Sequence, residues 1–301
     1  MTNKSFEEGV QFAWDATSIT LARTCMRKYK YKMLDGWQPR RTSVHLIFGA
    51  LYATALEHYH LHIATGDSHD DAQIKVVHEA LINTWNIEGQ TGGWVSDHNA
   101  KTRSTLIRTI VWYLEEFIDD PAKTVILSNG KPAVELSFTL PVNDDIVFCG
   151  HLDKVVDLND SNFVMDQKTT GSTVSTKFFD QFSPHDQFSM YSYAGQIILS
   201  APIAGVIIDA AQIAVGFSRF ERGFTFRNPG LLDEWMDDTL HLIDYARQLT
   251  SDEYFPLNPA ACGNYGGCEF RGVCSRAPSV REQFLKADFT QGPSWDPIDR
   301  R

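Results

Sequence analysis

The 301-residue chain changes its hydrophobic rhythm once. Up to about residue 120 the apolar positions recur at helical spacing; beyond Pro121 they form short runs and alternations that suit strands. Ser18 reads as the N-cap of a helix over about Ile19–Leu34, ended near Gly36. Leu46, Ala50, Ala53, Leu56 and Tyr59 predict a second helix over His45–Ile63, stopping before Gly66. Two more are expected over about His69–Trp85 and Asn99–Phe117, joined by a Gly-rich polar loop. Residues 1–16 read as poorly ordered. After Pro121, strands are expected at Thr124–Leu127, Val134–Leu140, Ile146–Leu158 and Phe163–Thr170, followed by a helix over Gln181–Leu199. Ala204–Val215 reads as a buried strand pairing antiparallel with Phe217–Phe226, and Leu231–Leu249 as an amphipathic helix. From Ala277 onward there is little periodicity. Helices first, a mixed sheet in the middle and a helix behind it make an α/β or α+β chain.

Chemistry concentrates in two neighbouring strands, Phe148-Cys149-Gly150-His151-Leu152-Asp153 and Asp166-Gln167-Lys168-Thr169-Thr170. Asn159-Asp160-Ser161-Asn162 supplies turn-favouring residues between them. Centring the turn on those four places Asp153 across from about Lys168, and diagonal to Asp166 at roughly 7–8 Å between backbones. Asp166 and Lys168, two apart, share a strand face, while Gln167 points back. Two carboxylates at that spacing suit a hard divalent cation, and a lysine beside them suits a phosphate or an activated water. An Asp/Lys ion pair on a solvated sheet face explains the same residues.

Composition narrows the setting. Hydrophobic content of 43% and charged content of 22% are those of an ordinary globular protein. No apolar run is long enough to span a membrane, and the N-terminus has no secretory h-region, so a cytoplasmic protein is the expectation. A formal net charge of −11 argues against a protein that coats DNA. Charge is nonetheless local: Arg23, Arg27, Lys28, Lys30, Lys32, Arg40 and Arg41 stand against Asp35 alone, with Tyr29, Tyr31 and Trp37 interleaved. A single-strand groove explains charges and aromatics together; a solvated helix face explains the charges.

Three of the five cysteines form Cys262-x5-Cys268-x5-Cys274 in a Gly-, Asn- and Pro-rich segment. Three thiolates leave a tetrahedral site incomplete, and Cys25 is the obvious candidate for the fourth. An iron–sulfur cluster, a zinc ion and free thiols all remain open on spacing alone. Cys149, in an apolar strand, reads as a small buried hydrophobe. His58 and His62 have the i, i+4 spacing of a zinc pair, with His60 between them, but no third ligand shows in the sequence.

In order along the chain, Gly49-x7-Glu57 on a helix, Gly150-x-x-Asp153, Asp166-x-Lys168 and Gln187-x3-Tyr191 resemble the PD-(D/E)xK nuclease superfamily in its RecB-like branch. The resemblance spans roughly residues 18–276. It implies a restriction-endonuclease-like α/β fold, a mixed central sheet flanked by helices, with N- and C-terminal segments joined at a four-cysteine metal cluster. It implies Mg²⁺ or Mn²⁺ held by Asp153, Asp166, Glu57 and the Gln167 carbonyl, Lys168 acting on water or phosphate, and Gln187 and Tyr191 bordering the scissile strand. Cys25, Cys262, Cys268 and Cys274 match the positions of a [4Fe–4S] cluster in iron–sulfur members, AddB and the CRISPR-adaptation nuclease among them; zinc is the alternative. In those members the first gap of the trio is two residues, whereas here it is five.

The family histidine four residues before Glu57 is replaced by Ala53, and His151 is a possible substitute. DNA is the implied substrate, as single strands or duplex ends, with Arg23, Arg27, Lys28 and Lys30 as backbone contacts. Arg219, Arg222 and Lys177 are further phosphate candidates. Residues 1–120 would be a helical region, 121–250 the nuclease core, 251–276 the cluster segment and 277–301 a tail. The implied activity is a metal-dependent exonuclease in DNA recombination, repair or end processing, with a recombination or helicase partner. A catalytically inactive, DNA-binding or assembly subunit of the same fold is the alternative.

Overall fold

Asn159 and Asp160 both adopt left-handed backbone, φ 53° and 59°, and close a two-residue hairpin. Leu158 and Ser161 exchange backbone hydrogen bonds of 2.9 and 3.3 Å across it. Two consecutive positive φ values mark the turn whose twist matches the flanking strands, and Asn and Asp tolerate that conformation. The hairpin joins strands Val147–Asp157 and Asn162–Thr170, whose ladder runs from Asp157–Asn162 to Lys154–Met165. The ladder ends there, and the next position beyond it on each strand is Asp153 and Asp166. This corrects the sequence-based alignment by two residues, because the turn is centred between Asn159 and Asp160 rather than a residue later.

The computed structural model describes residues 6–7, 9–86 and 92–298 and falls into two units. One comprises residues 42–136 and 151–227. Its sheet continues from Asn162–Thr170 to the parallel strand Gly205–Ile213 and then to the antiparallel Ser218–Thr225. Lys123–Thr124 pairs with the far end of the hairpin's first strand. Every residue of Gly205–Ile213 is buried, as a central parallel strand requires. Helices Val44–Ala64 and Arg103–Glu116 lay Phe48, Tyr52, Leu56, Leu106, Ile110 and Tyr113 against Ala211 and Ile213. Helix Asp186–Leu199 covers the opposite face, and Gly195 sets its approach: a Cβ there would lie 3.0 Å from Ile203 and 3.2 Å from Val164. The helix expected over Gln181–Leu199 begins only at Asp186 and runs to Leu199, and a separate short helix, Thr176–Asp180, precedes it.

The other unit comprises residues 1–41, 137–150 and 228–301. The expectation of disorder over residues 1–16 fails for its described part: Ala13–Trp14 is a strand parallel to Val147–Phe148, and Trp14 is buried and stacked on Tyr29. Residues 1–5 and 8 lie outside the described residues. Asp15, not Ser18, caps the first helix; each side chain accepts from the other's backbone N–H, at 2.8 and 3.1 Å. That helix ends at Thr24, because Cys25 is extended (φ −164°, ψ 111°), and a short helix with a π-turn follows to Leu34. Helix Pro229–Ser251 buries Leu232, Trp235, Thr239, Ile243, Ala246 and Leu249 along one stripe. The aperiodic tail is also structured: helix Arg281–Asp288 leads into Phe289–Gln291, which pairs antiparallel with Trp37–Pro39. Gly36 is required there, at φ 73°, since a Cβ would fall 2.2 Å from the Gly292 carbonyl oxygen.

The observed architecture is the mixed α/β sheet flanked by helices that the sequence led us to expect. Among the described residues, no helix is long and apolar enough to cross a membrane.

Candidate active site

The hairpin strands part after Lys154–Met165, and a side chain takes over where the ladder stops: the Gln167 backbone N–H donates to Asp153 Oδ2 at 3.0 Å. Asp166, on the same face, is fully buried. Its Oδ1 accepts from Gln187 Nε2 at 3.0 Å, and the same amide reaches the Tyr191 hydroxyl at 2.9 Å. Its Oδ2 lies 2.5 Å from the Lys168 ammonium, yet makes no well-directed hydrogen bond. The contact is a charge pair that leaves acceptor capacity unused in a buried carboxylate. Gln187 and Tyr191 converge because residues four apart share a helix face, and this helix packs over the strand carrying Asp166.

Burial raises the proton affinity of both aspartates. Asp166 is pushed up to about 7, first by loss of hydration, with the Lys168 charge opposing it and the Asp153 charge adding to it. Asp153 is raised by burial as well, against the attraction of Lys168. The Tyr191 hydroxyl is held far above its ordinary range by burial and by the charges of Asp153 and Asp166.

Glu57 stands half-buried on helix Val44–Ala64, and its charge, with that of Asp153, acts on a carboxyl the sequence reading passed over. This is Glu135, pushed up to about 7, mainly by burial. It is the second residue of strand Val134–Pro141 and has a left-handed φ of 47°, unusual for a non-glycine residue. The available signal was an acid at the head of an apolar strand next to the Asp153 strand.

The opposite sheet face holds a second polar group of another character. Lys154 is buried, its ammonium 2.9 Å from His60 Nε2 and its pKa lowered to about 8 by burial. Burial also keeps His60 well below the usual imidazole range. Arg222 clamps Asp120 with two contacts of 2.7 Å, reaches Asp209 at 3.3 Å and lies over the Phe117 ring. Tyr113 donates a short hydrogen bond to Asp209. Arg222 therefore holds the fold together rather than offering itself to a phosphate, and Arg219 is paired with Glu221. His58 and His62 share one partner that the sequence did not reveal, Glu79, at 2.6 and 3.2 Å.

Cys25, Cys262, Cys268 and Cys274 all line one cavity of about 260 Å³, the first two also touching Asn258 through its N–H and carbonyl. Burial raises the Cys274 thiol, against the charges of Arg27 and Arg281, with Cys268 and Cys25 adding smaller upward pushes. All five cysteines are free thiols, and Cys149 is buried as expected, its thiol pushed up to about 12 by burial. Among the described residues, no three His, Cys, Asp or Glu side chains are already drawn around a metal-sized point.

In the basic segment, Lys28 and Lys32 face Glu269, Lys30 pairs with Asp35, Arg23 lies near Asp238, and Arg27 donates to the Phe255 carbonyl. Tyr29 and Trp37 are buried and Tyr31 packs on Phe270, so these aromatics build the core rather than a stacking surface.

A family model for the PD-(D/E)XK nuclease superfamily matches residues 13–275. No curated protein matches the sequence. A solved structure from Eubacterium rectale, named only provisionally as an exonuclease, aligns with a TM-score of 0.53 at 11% identity over 93% of each chain. A second, that of SSO0001, has 12% identity over 79% of this chain and 78% of its own, with a TM-score of 0.31 too low to carry argument.

Proposed function

The chain belongs to the PD-(D/E)XK nuclease superfamily, and from that premise we propose that it is a divalent-metal-dependent DNA exonuclease of the RecB-like class. The observation that carries this reading is the single face bearing Asp153, Asp166 and Lys168, with Gln187 holding one oxygen of Asp166 and the other left without a directed partner. A buried carboxylate with unused acceptor capacity fits a hard cation such as Mg²⁺ or Mn²⁺. Asp153 and Asp166 would hold it, with Glu57 and the Gln167 carbonyl as further donors. Such a cation supplies a water of lowered pKa and positive charge for the phosphate. Lys168 places its ammonium beside the same carboxylate, where it neutralises charge growing on phosphate oxygens. Gln187 fixes the rotamer of Asp166, and Tyr191 closes the wall behind it.

The four thiols around one cavity support a [4Fe–4S] cluster in a structural role, with zinc as the alternative occupant. Either would tie the segment after the first helix to residues 262–274, closing a long loop. Arg23, Arg27, Lys28 and Lys30 are the proposed DNA-backbone contacts, and recombination, repair or end processing, alongside a helicase-type partner, the proposed setting. Ala53, standing where the family has a histidine, favours one second reading, an inactive DNA-binding subunit.

End-labelled linear DNA and a closed circle, incubated with the protein in Mg²⁺ or Mn²⁺, separate the readings. Degradation of the linear form alone, lost in Asp166→Ala and Lys168→Ala, supports the exonuclease. No cleavage of either form by protein with intact metal content supports the subunit.

A further inference from the structure

Lys101 is a buried charge without a counter-charge. Its side chain is 2% exposed, yet its ammonium makes no hydrogen bond or ion pair among the described residues. Neither Asp97 of the same loop nor any other acid acts on it, so burial alone lowers its pKa. The ammonium lies 5.5 Å above the Phe48 ring, close to the amino end of helix Val44–Ala64, whose first turn contains no acid. That end of a helix carries partial positive charge, so an ammonium beside it is repelled unless an anion stands between them.

Two imidazoles complete the group. His98 Nδ1 accepts from the backbone N–H groups of Ala100 at 3.1 Å and Lys101 at 2.9 Å. Its proton therefore resides on Nε2, which is a donor. The exposed His45 ring stands edge-on to it, centroids 5.2 Å apart, its pKa lowered by partial burial and then by Lys101 and His98. Donors and positive charge converge here, all within one structural unit. The contrast with the basic segment decides between the two: there Lys28, Lys30 and Lys32 already face Glu269 or Asp35. In a chain of net charge −11, an unmatched ammonium at a helix amino end is a place to grip an anion. Gly49, one turn on from His45, approaches the sheet so closely that a Cβ would lie 3.4 Å from Thr169 Oγ1. The helix end thus meets the sheet just past Lys168.

We propose that Lys101 and His98, at the amino end of helix Val44–Ala64 with His45 beside them, bind a phosphate of the DNA strand other than the one cleaved. The proposal rests on the nuclease reading given above and adds a substrate contact outside the residues that would hold the cation.

DNA binding in chelator reads this without reference to cleavage. A labelled single-stranded oligonucleotide is titrated with the full-length protein by fluorescence anisotropy over a range of salt. The variants are Lys101→Met, which keeps the length of the side chain, His45→Glu, and the remote control Lys75→Met. Lys101→Met should bind about tenfold more weakly, as loss of a charged hydrogen bond predicts. Its salt slope should fall by about 0.7, the value for one phosphate on a single strand. His45→Glu should also bind more weakly while melting no lower, because an acid suits a helix amino end; it keeps the test valid should Lys101→Met fold poorly. Lys75→Met should match the wild type. Inorganic phosphate at constant ionic strength should raise the Tm of the wild type more than that of Lys101→Met. If that phosphate response is seen but both site variants bind DNA as the wild type does, the site takes small phosphates and the DNA assignment is overturned. Wild-type DNA binding in both variants with no phosphate response overturns the site altogether. Either result leaves the nuclease reading intact if the wild type still cleaves DNA in Mg²⁺, whereas a wild type that neither binds nor cleaves DNA overturns both.

Discussion

Neutralising Asp166 should make the metal-free protein more stable at pH 8 while abolishing its activity. The perturbation is Asp166→Asn, nearly isosteric and able to accept from Gln187 through its amide oxygen. Asp166 is fully buried, and its pKa rises from 3.8 to about 7 in the fold. An acid with a raised folded pKa binds its proton more tightly when native, so its favourable contribution is complete below about pH 4. That contribution disappears as pH rises through about 7. Three units correspond to at most about 4 kcal/mol at ~1.4 kcal/mol each. That shift already includes the Lys168 attraction; relaxation and water entry around the buried pair reduce it further, so we expect roughly 1–2 kcal/mol, or about 2–4 °C in Tm for a chain of this size.

The assay is thermal unfolding in chelator, wild type against Asp166→Asn, at pH 5 and pH 8. Asp166→Asn should melt higher at pH 8, with the gap much narrower at pH 5, where the native wild-type carboxyl is protonated. Mg²⁺ should then raise the wild type alone, since a ligand that binds only the native state stabilises by mass action, about 2.7 kcal/mol at a hundredfold excess over Kd. If Asp166→Asn melts lower by the same margin at both pH values, the Asp166–Lys168 pair is net stabilising and the view of an electrostatically strained site is wrong.

Other consequences can be checked as directly. Arg222→Ala leaves Asp120 and Asp209 partly or wholly buried without their cation, and should cost about 3–5 kcal/mol in a urea midpoint measurement. Gln187→Ala should reduce cleavage roughly tenfold to a hundredfold, with little change in Tm, because it frees Asp166 to rotate while removing a half-exposed amide. Protein purified anaerobically should be brown; Cys25→Ser should lose the colour and most of the iron, Cys149→Ser neither, and stoichiometric zinc without iron would identify the other occupant. Arg27→Glu with Lys30→Glu should weaken DNA binding and flatten its salt dependence if phosphates displace Asp35 from Lys30.

Much of the site was legible because it depends on spacing. Asp166 and Lys168 share a face by the two-residue period, and Gln187 and Tyr191 by the four-residue one; both follow from local geometry. What escaped depends on where a turn or break falls. The hairpin was misaligned by two because four turn-formers in a row conceal which two take positive φ. Cys25 interrupts a stretch whose apolar pattern runs on unbroken, so one helix was expected where an extended residue sets the thiol between two. Trp14 lies on a strand of two residues, too short for alternation to register. The tail strand Phe289–Gln291 exists because Trp37–Pro39, some 250 residues earlier, offers it an edge. Glu135 was missed for a related reason: it comes near Asp153 and Glu57 through the pairing of its strand, not through a spacing along the chain.

The two faces of the sheet treat their buried charges differently. On the face bearing Lys154, charges are balanced: Lys154 has His60 and the fields of Asp209 and Asp120, and Arg222 has Asp120 and Asp209. That is how buried ions behave when their task is to hold elements together. On the other face, Asp153, Asp166 and Glu135 are all raised by burial, and Lys168 is the chief cation opposing the first two, with His151 a smaller influence on Asp153. No cation figures among the causes acting on Glu135, only the like charges of Asp153 and Glu57. The same sheet that neutralises its charges on one side leaves an excess of negative charge on the other. A divalent cation would remove that excess, which is why the response of thermal stability to Mg²⁺, compared between wild type and Asp166→Asn, tests the site independently of cleavage.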